Sequence, residues 1–283
     1  MSDDRRPNQF TRLSTAGAAC VLLWISRTLC GLLVSYPLSQ AIRASGMTSG
    51  PDGDAVLFQP GSLLLLELLR IGAPWLESAS RVALLLAGLS AICELAPLAL
   101  SLDLLGIPGS PLSERVSRAL RLFPRFLTLG AIALLAQAAI LLLASLLSAA
   151  LKPALTSADD RLQTLAPLAL FGLGWFACAG FGSVLDVART TLVQRALGAR
   201  SALAHALLCL RQRPFSLLIG AYPSITGSLL GYLTAAWVLT RLDPMSRSSV
   251  VLAFGVHQAA VLFAIAWRVR WFGTALELSA NTD

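Results

Sequence analysis

Long apolar stretches alternate with short, arginine-rich connections along this chain. The apolar runs fall at about 15–41, 79–105, 126–151, 165–187, 215–240 and 249–271. Each has the roughly 20 residues that a helix needs to cross a hydrocarbon core. They are unbroken Leu- and Ala-rich runs, unlike the short alternating segments of a membrane barrel. The pattern predicts an all-α, polytopic transmembrane helical bundle of about six spans, one integral membrane domain over residues 1–283. Residues 1–14 and 272–283 read as a terminal segment and a tail outside the membrane, and 45–78 as an outer connection.

Two connections carry helical patterns of their own. In "SPLSERVSRALRLFPRF", Ser110 can cap a helix with Pro111 at its first position, where the missing N–H is not needed. Val116, Ala119, Leu120 and Phe123 then share one face, and Arg118, Arg121 and Arg125 another. This predicts an interfacial helix on the cytoplasmic side, its arginines on anionic lipid phosphate. Arg211 and Arg213, at the fourth connection, are further lipid contacts by the same reasoning. The outer "FQPGSLLLLELLRIGAPWL" is too short to span and predicts a short helix on the outer face, with Glu67 and Arg70 in reach at i, i+3.

Charge orients the bundle. Fourteen arginines lie at the N-terminus, the second and fourth connections and the C-terminal end, against seven basic residues on the other side. Excess positive charge stays in the cytoplasm, so both termini are expected there, in a bacterial inner membrane. Trp267 and Trp271 fit an interfacial anchor at the inner end of the last span. The first apolar run lacks a small-residue cleavage site and reads as a retained span.

Composition agrees: 56% of residues are hydrophobic, 13% charged, and mean hydropathy is +0.72, about half the charge of an ordinary soluble domain. The net charge of +7 and pI of about 9.8 suggest anionic inner-leaflet lipid as the partner. No aromatic-basic motif supports nucleic acid. Cys20, Cys30, Cys93, Cys178 and Cys209 form no C-x-x-C pair and read as buried thiols.

"LRLFPRFLTLGA" (120–131) and "LRQRPFSLLIGA" (210–221) match at Leu120/Leu210, Arg121/Arg211, Pro124/Pro214, Leu127/Leu217, Gly130/Gly220 and Ala131/Ala221. Upstream, Leu102–Asp103 and Leu185–Asp186 end two spans alike. A parallel repeat predicts Pro124 and Pro214 in the first turns of two spans, with Gly130 and Gly220 against neighbouring helices.

The stretch "SVLDVARTTLVQRALGARSALAHALLCLRQRPFSLL" (183–218), through Asp186, Ala188, Arg189 and a second helix ending in arginine before proline, resembles a broad bacterial group of polytopic proteins. That group includes the membrane domain of some glycerophosphoryl diester phosphodiesterases. The resemblance covers about a quarter of the chain and implies an all-helical membrane bundle. It carries over no catalytic residue, because the soluble phosphodiesterase barrel has no counterpart here.

Chemistry-bearing motifs are sparse. His205 and His257 have no partner at metal-ligand spacing, and no zinc-protease, nucleophile-elbow or phosphate-loop motif occurs. No cofactor or metal site is expected. Gly172, Gly174, Gly180 and Gly182 predict close helix packing. The exception is Glu94, alone in the apolar "GLSAICELAPLAL". An ionised carboxylate at mid-membrane costs at least about 2.5–3.5 kcal/mol, so it should face the bundle, with Arg27 its preferred partner as the only basic residue at similar depth. The leading expectation is a non-enzymatic membrane protein with a structural or assembly role and an unidentified membrane-protein partner. The alternative is a small permease using Glu94 as an intramembrane site.

The charge bias makes a topological prediction. Cysteine-accessibility mapping is expected to find residues near 118 and 200 in the cytoplasm and residues near 55 and 158 outside. A cytoplasmic signal at residue 55 overturns the orientation.

Overall fold

Hydrocarbon offers no water to a backbone N–H or C=O, so apolar runs of this length form helices, whose hydrogen bonds close internally. The computed structural model describes residues 9–44, 73–107, 109–155, 160–242 and 247–280. They form α1 (Gln9–Ala44), α2 (Ala73–Cys93), α3 (Leu95–Gly106), α4 (Leu112–Leu155), α5 (Asp160–Arg195), α6 (Ala199–Gln212), α7 (Pro214–Leu239) and α8 (Arg247–Ala280). Among the described residues there is no strand. The expected outer helix with Glu67 and Arg70 lies outside the described residues.

Five segments have the length and composition to cross a membrane: Ser14–Gln40, Glu77–Gly106, Leu112–Leu151, Leu165–Arg195 and Ser248–Ala280. The remaining expected span, α7, is uncharged and 26 residues long, with Gly, Ser, Pro and Tyr interspersed among its apolar residues. It runs antiparallel to α8 along a seam of glycines. A Cβ on Gly220, Gly227 or Gly231 would come within 2.9, 3.0 and 2.9 Å of Trp271, Trp267 and Phe263 in turn.

Exposed and buried apolar residues segregate along the helices. Leu84, Leu85, Leu134 and Leu135 are 65–75% exposed, a surface suited to acyl chains rather than water. The largest fully buried side chains are Phe126, Phe272, Leu102, Leu129, Leu185 and Leu192. They gather at the arginine-rich end, where the C-terminal parts of α3, α5 and α8 meet the N-terminal part of α4, with α6 alongside.

Two interruptions have local causes. The second span divides into α2 and α3 at Glu94 because Pro97 has no N–H to donate to the Cys93 carbonyl four residues earlier. The flanking bonds survive: the Glu94 amide donates to Ser90 and the Leu98 amide to Glu94, at 2.8 and 3.1 Å. Helix α5 ends at Ala196, whose φ of 51° is the left-handed conformation that usually falls to glycine.

Several expectations are corrected. The 110–125 segment is not a separate interfacial helix. It is the opening of the 44-residue α4, continuous with the third span, and its buried stripe runs through Arg115, Ala119, Phe126 and Leu129. The Pro111 carbonyl, rather than Ser110, stands at the cap and accepts the Arg115 amide at 3.2 Å. Pro124 therefore sits inside a helix at an exposed position, whereas Pro214 opens α7. That breaks the repeat, although Gly130 and Gly220 do meet neighbouring helices, through Leu95 and Trp271. A Cβ added at Gly174 would come within 3.2 Å of the Ala144 side chain, whereas one added at Gly172 would meet nothing within 4 Å. Trp271 is 3% exposed and belongs to the α7–α8 seam, not to a headgroup belt. Residues 272–280 are no loose tail, since Phe272, Ala275 and Ser279 are fully buried within α8.

The seam yields a stability test. Gly220→Ala forces a methyl against a buried indole and is expected to cost about 1–3 kcal/mol. Gly172→Ala meets open space and is expected to be neutral or stabilising by up to about 1 kcal/mol. Thermal unfolding of the purified variants checks both, and equal stabilities contradict the packing described.

Candidate functional site

The arginine-rich end is built around two buried acids. Asp103, on the last turn of α3, is 1% exposed. Arg118 of α4 grips it with a fork: Nε donates to Oδ1 at 2.9 Å and Nη2 to Oδ2 at 3.1 Å. Arg115, one turn earlier, donates from Nη1 to the Asp103 carbonyl at 3.2 Å and from Nε to the Ser110 carbonyl at 2.8 Å. Its charge also stands 3.8 Å from Asp103 Oδ2. Bidentate charge-assisted bonds of this kind fix angle as well as distance, so the α3–α4 turn is set by them.

Asp186 of α5 is the second acid. Arg189, one turn on, donates to its Oδ1 at 2.8 Å, and Arg268 of α8 approaches the same oxygen at 3.5 Å. Further along the α5–α8 contact, Ser279 donates to Gln194 Oε1 at 2.5 Å while Gln194 Nε2 donates to the Leu276 carbonyl at 3.2 Å. Arg195 Nη2 donates to the Ser279 carbonyl at 2.9 Å, and His205 Nε2 lies 3.3 Å from that same oxygen. His205 is thus part of the α5–α6–α8 packing. His257 is exposed, and its neighbour Gln258 makes the contact to α1, accepting from Trp24 Nε1 at 2.8 Å and Thr28 Oγ1 at 3.3 Å.

The arginines expected on lipid divide into two groups. Arg118 is committed to Asp103. Arg125 Nη1 donates to the carbonyls of Ala196 and Leu197 at 2.8 and 3.0 Å, holding the left-handed turn that ends α5. Both turn to protein because acceptors from another segment lie beside them. Arg121, Arg211 and Arg213 are exposed on the surface, Arg121 with Nη2 on Ser117 at 3.1 Å.

Glu94 and Arg27 are brought together, but not as a closed pair. Both line a cavity of about 170 Å³ with Ser26, Arg189 and Arg268. Leu23, Leu95 and Leu98 supply its apolar wall. No ion pair or hydrogen bond joins Glu94 to Arg27 among the described residues. The charged groups come from four places in the chain: α1, the α2–α3 junction, α5 and α8. Arg189 is 9% exposed, and its buried Nε has no hydrogen-bond partner.

Sequence alone singles out neither Arg189, named there for the resemblance, nor Arg268, one of the orienting charges, as a cavity residue. The signal that could have found them was the one used for Arg27, a guanidinium inside an apolar run: "FAIAWRVRWF" for Arg268, and Asp186 at i−3 for Arg189. Among the described residues, no group of three or more His, Cys, Asp or Glu converges as a metal-holding cluster. No family model matches the chain, and no curated protein or solved structure matches it.

Proposed function

We propose that this is a non-enzymatic, multi-pass permease of the bacterial inner membrane, with the Glu94 cavity as its substrate site. One observation carries the reading: Glu94 and three arginines from separate helices line a shared polar cavity, whereas an acid kept only for structure would be closed onto a partner. Ionisable groups held within membrane segments without such closure mark pathways for polar solutes. Pro97 supports this role, because irregular backbone within a span is tolerated where it lines a cavity. Both termini are cytoplasmic in this reading. The antiparallel seam with α8 supports α7 as a sixth span, since α7 follows α8 through the same depth.

A structural or assembly role is the second reading, favoured by the Asp103 and Asp186 clasps, which give the arginine-rich end a packed core independent of any solute. Exposed Arg121, Arg211 and Arg213 suit anionic inner-leaflet lipid in either case. The likeness to phosphodiesterase-linked membrane domains adds only a helical bundle to the argument.

Access separates the two readings. In full-length protein with its five cysteines replaced by serine or alanine, Ser26→Cys places a thiol at the cavity wall with little change in size. A charged, membrane-impermeant thiol reagent is expected to label it, but neither Ala99→Cys in the core nor Leu85→Cys on the lipid face. If Ser26→Cys is as unreactive as those controls from both sides of the membrane, the permease reading fails.

A further inference from the structure

The charges around the cavity do not balance. Three guanidiniums, on Arg27, Arg189 and Arg268, stand against two carboxylates, Glu94 in the wall and Asp186 bonded to two of the arginines. One positive charge is left over among the described residues. Arginine cannot shed it, since a guanidinium keeps its proton in proteins. Protonating Glu94 only enlarges the excess. The Arg268 side chain is 36% exposed, so an anion from outside can reach the excess charge and offset it.

We infer that the cavity holds one phosphate-type oxyanion carrying a single negative charge. The inference rests on the reading of this cavity as a binding site and names what it binds. Guanidinium groups present planar forks of donors that match phosphate oxygens. The set here is held ready for such a ligand: Asp186 fixes Arg189 at 2.8 Å and draws Arg268 to 3.5 Å, and Phe272 lies under Arg268 at 5.4 Å from ring centroid to guanidinium carbon. Asp186 is thus a positioning residue. The Nε of Arg189, buried without an acceptor, is a donor that the protein itself leaves unused.

Size and depth narrow the ligand. At about 170 Å³ the cavity is smaller than the roughly 300–1,000 Å³ pockets that enclose drug-sized molecules, so it takes a headgroup-sized anion. On α2 the exposed apolar side chains end at Ile92, just before Glu94, and on α8 they end at Phe263, before Arg268, whereas on α1 Ile25 and Leu29 flank Arg27. On its α2 and α8 sides the cavity thus borders the end of the lipid-facing band, within reach of a phospholipid headgroup and of a small phosphate solute.

The test uses full-length protein purified in uncharged detergent, with thermal unfolding followed as ligand is added. One arm adds phosphatidylglycerol in mixed micelles, with phosphatidylcholine for comparison, and the other adds sodium phosphate. A rise in Tm with phosphatidylglycerol alone identifies a lipid headgroup as the source, and a rise with sodium phosphate a soluble one. Arg27→Gln removes the excess charge and is expected to abolish at least half of the rise, as is Arg268→Gln. Glu94→Gln increases the excess and is expected to lower the half-saturating concentration several-fold. Arg81→Gln, at an exposed arginine outside the cavity and paired with Glu77, is expected to leave the rise unchanged. The inference is overturned if neither anion raises Tm, if Arg27→Gln and Arg268→Gln respond like the native chain, or if Glu94→Gln weakens the response. A Tm rise with these signs in a protein whose Ser26→Cys is unreactive means an enclosed anion site without a permeation path. The reverse result means a polar path that takes another ligand.

Discussion

A carboxylate taken out of water must find positive charge, and in this protein Asp103 and Asp186 find it on arginines that other segments supply. Asp103 ties α3 to α4 through Arg118 and Arg115, and Asp186 ties α5 to α8 through Arg268. These pairings fix where the helices converge. Around them pack Leu102, Leu185, Phe126 and Phe272, all buried, while the opposite ends of the helices present leucines outward. Hydrophobic burial holds such an end together in water, whereas packing and polar contacts must do so between helices in lipid. The clasps lie where the second mechanism is needed.

The cavity follows from the same arrangement. Arg189 and Arg268 are held at its edge by Asp186, and Pro97 interrupts the second span where Glu94 turns into it. Had Glu94 found a close partner, the acid would be a third clasp. Instead it shares the wall of one cavity with three guanidiniums.

Most of the fold was legible in the chain because membrane helices announce themselves through length and apolar composition. Glu94 was legible for the same reason, as an acid whose burial is expensive. What sequence periodicity could not give was the identity of the surface that each helical face meets. Arg118 and Arg125 share a face with Arg121, yet two of the three turn to protein because Asp103 and the Ala196 turn lie opposite. Pro124 and Pro214 look alike as letters, but one lies within a continuous helix and the other begins one. Trp271 resembled an interfacial anchor until Gly220 left room for its ring. Each of these outcomes depends on a contact between segments far apart in sequence.

The dependence of the fold on the buried clasps is tested most directly by a double-mutant cycle on Asp103 and Arg118. Unfolding free energies would be compared for Asp103→Asn, Arg118→Gln and the double variant in detergent. The account predicts that Asp103→Asn alone costs about 1–3 kcal/mol, because it leaves the buried Arg115 guanidinium without its acid. It also predicts a coupling of about 0.5–3 kcal/mol between the two sites. Additive effects, with Asp103→Asn no more costly than a surface substitution, would contradict it.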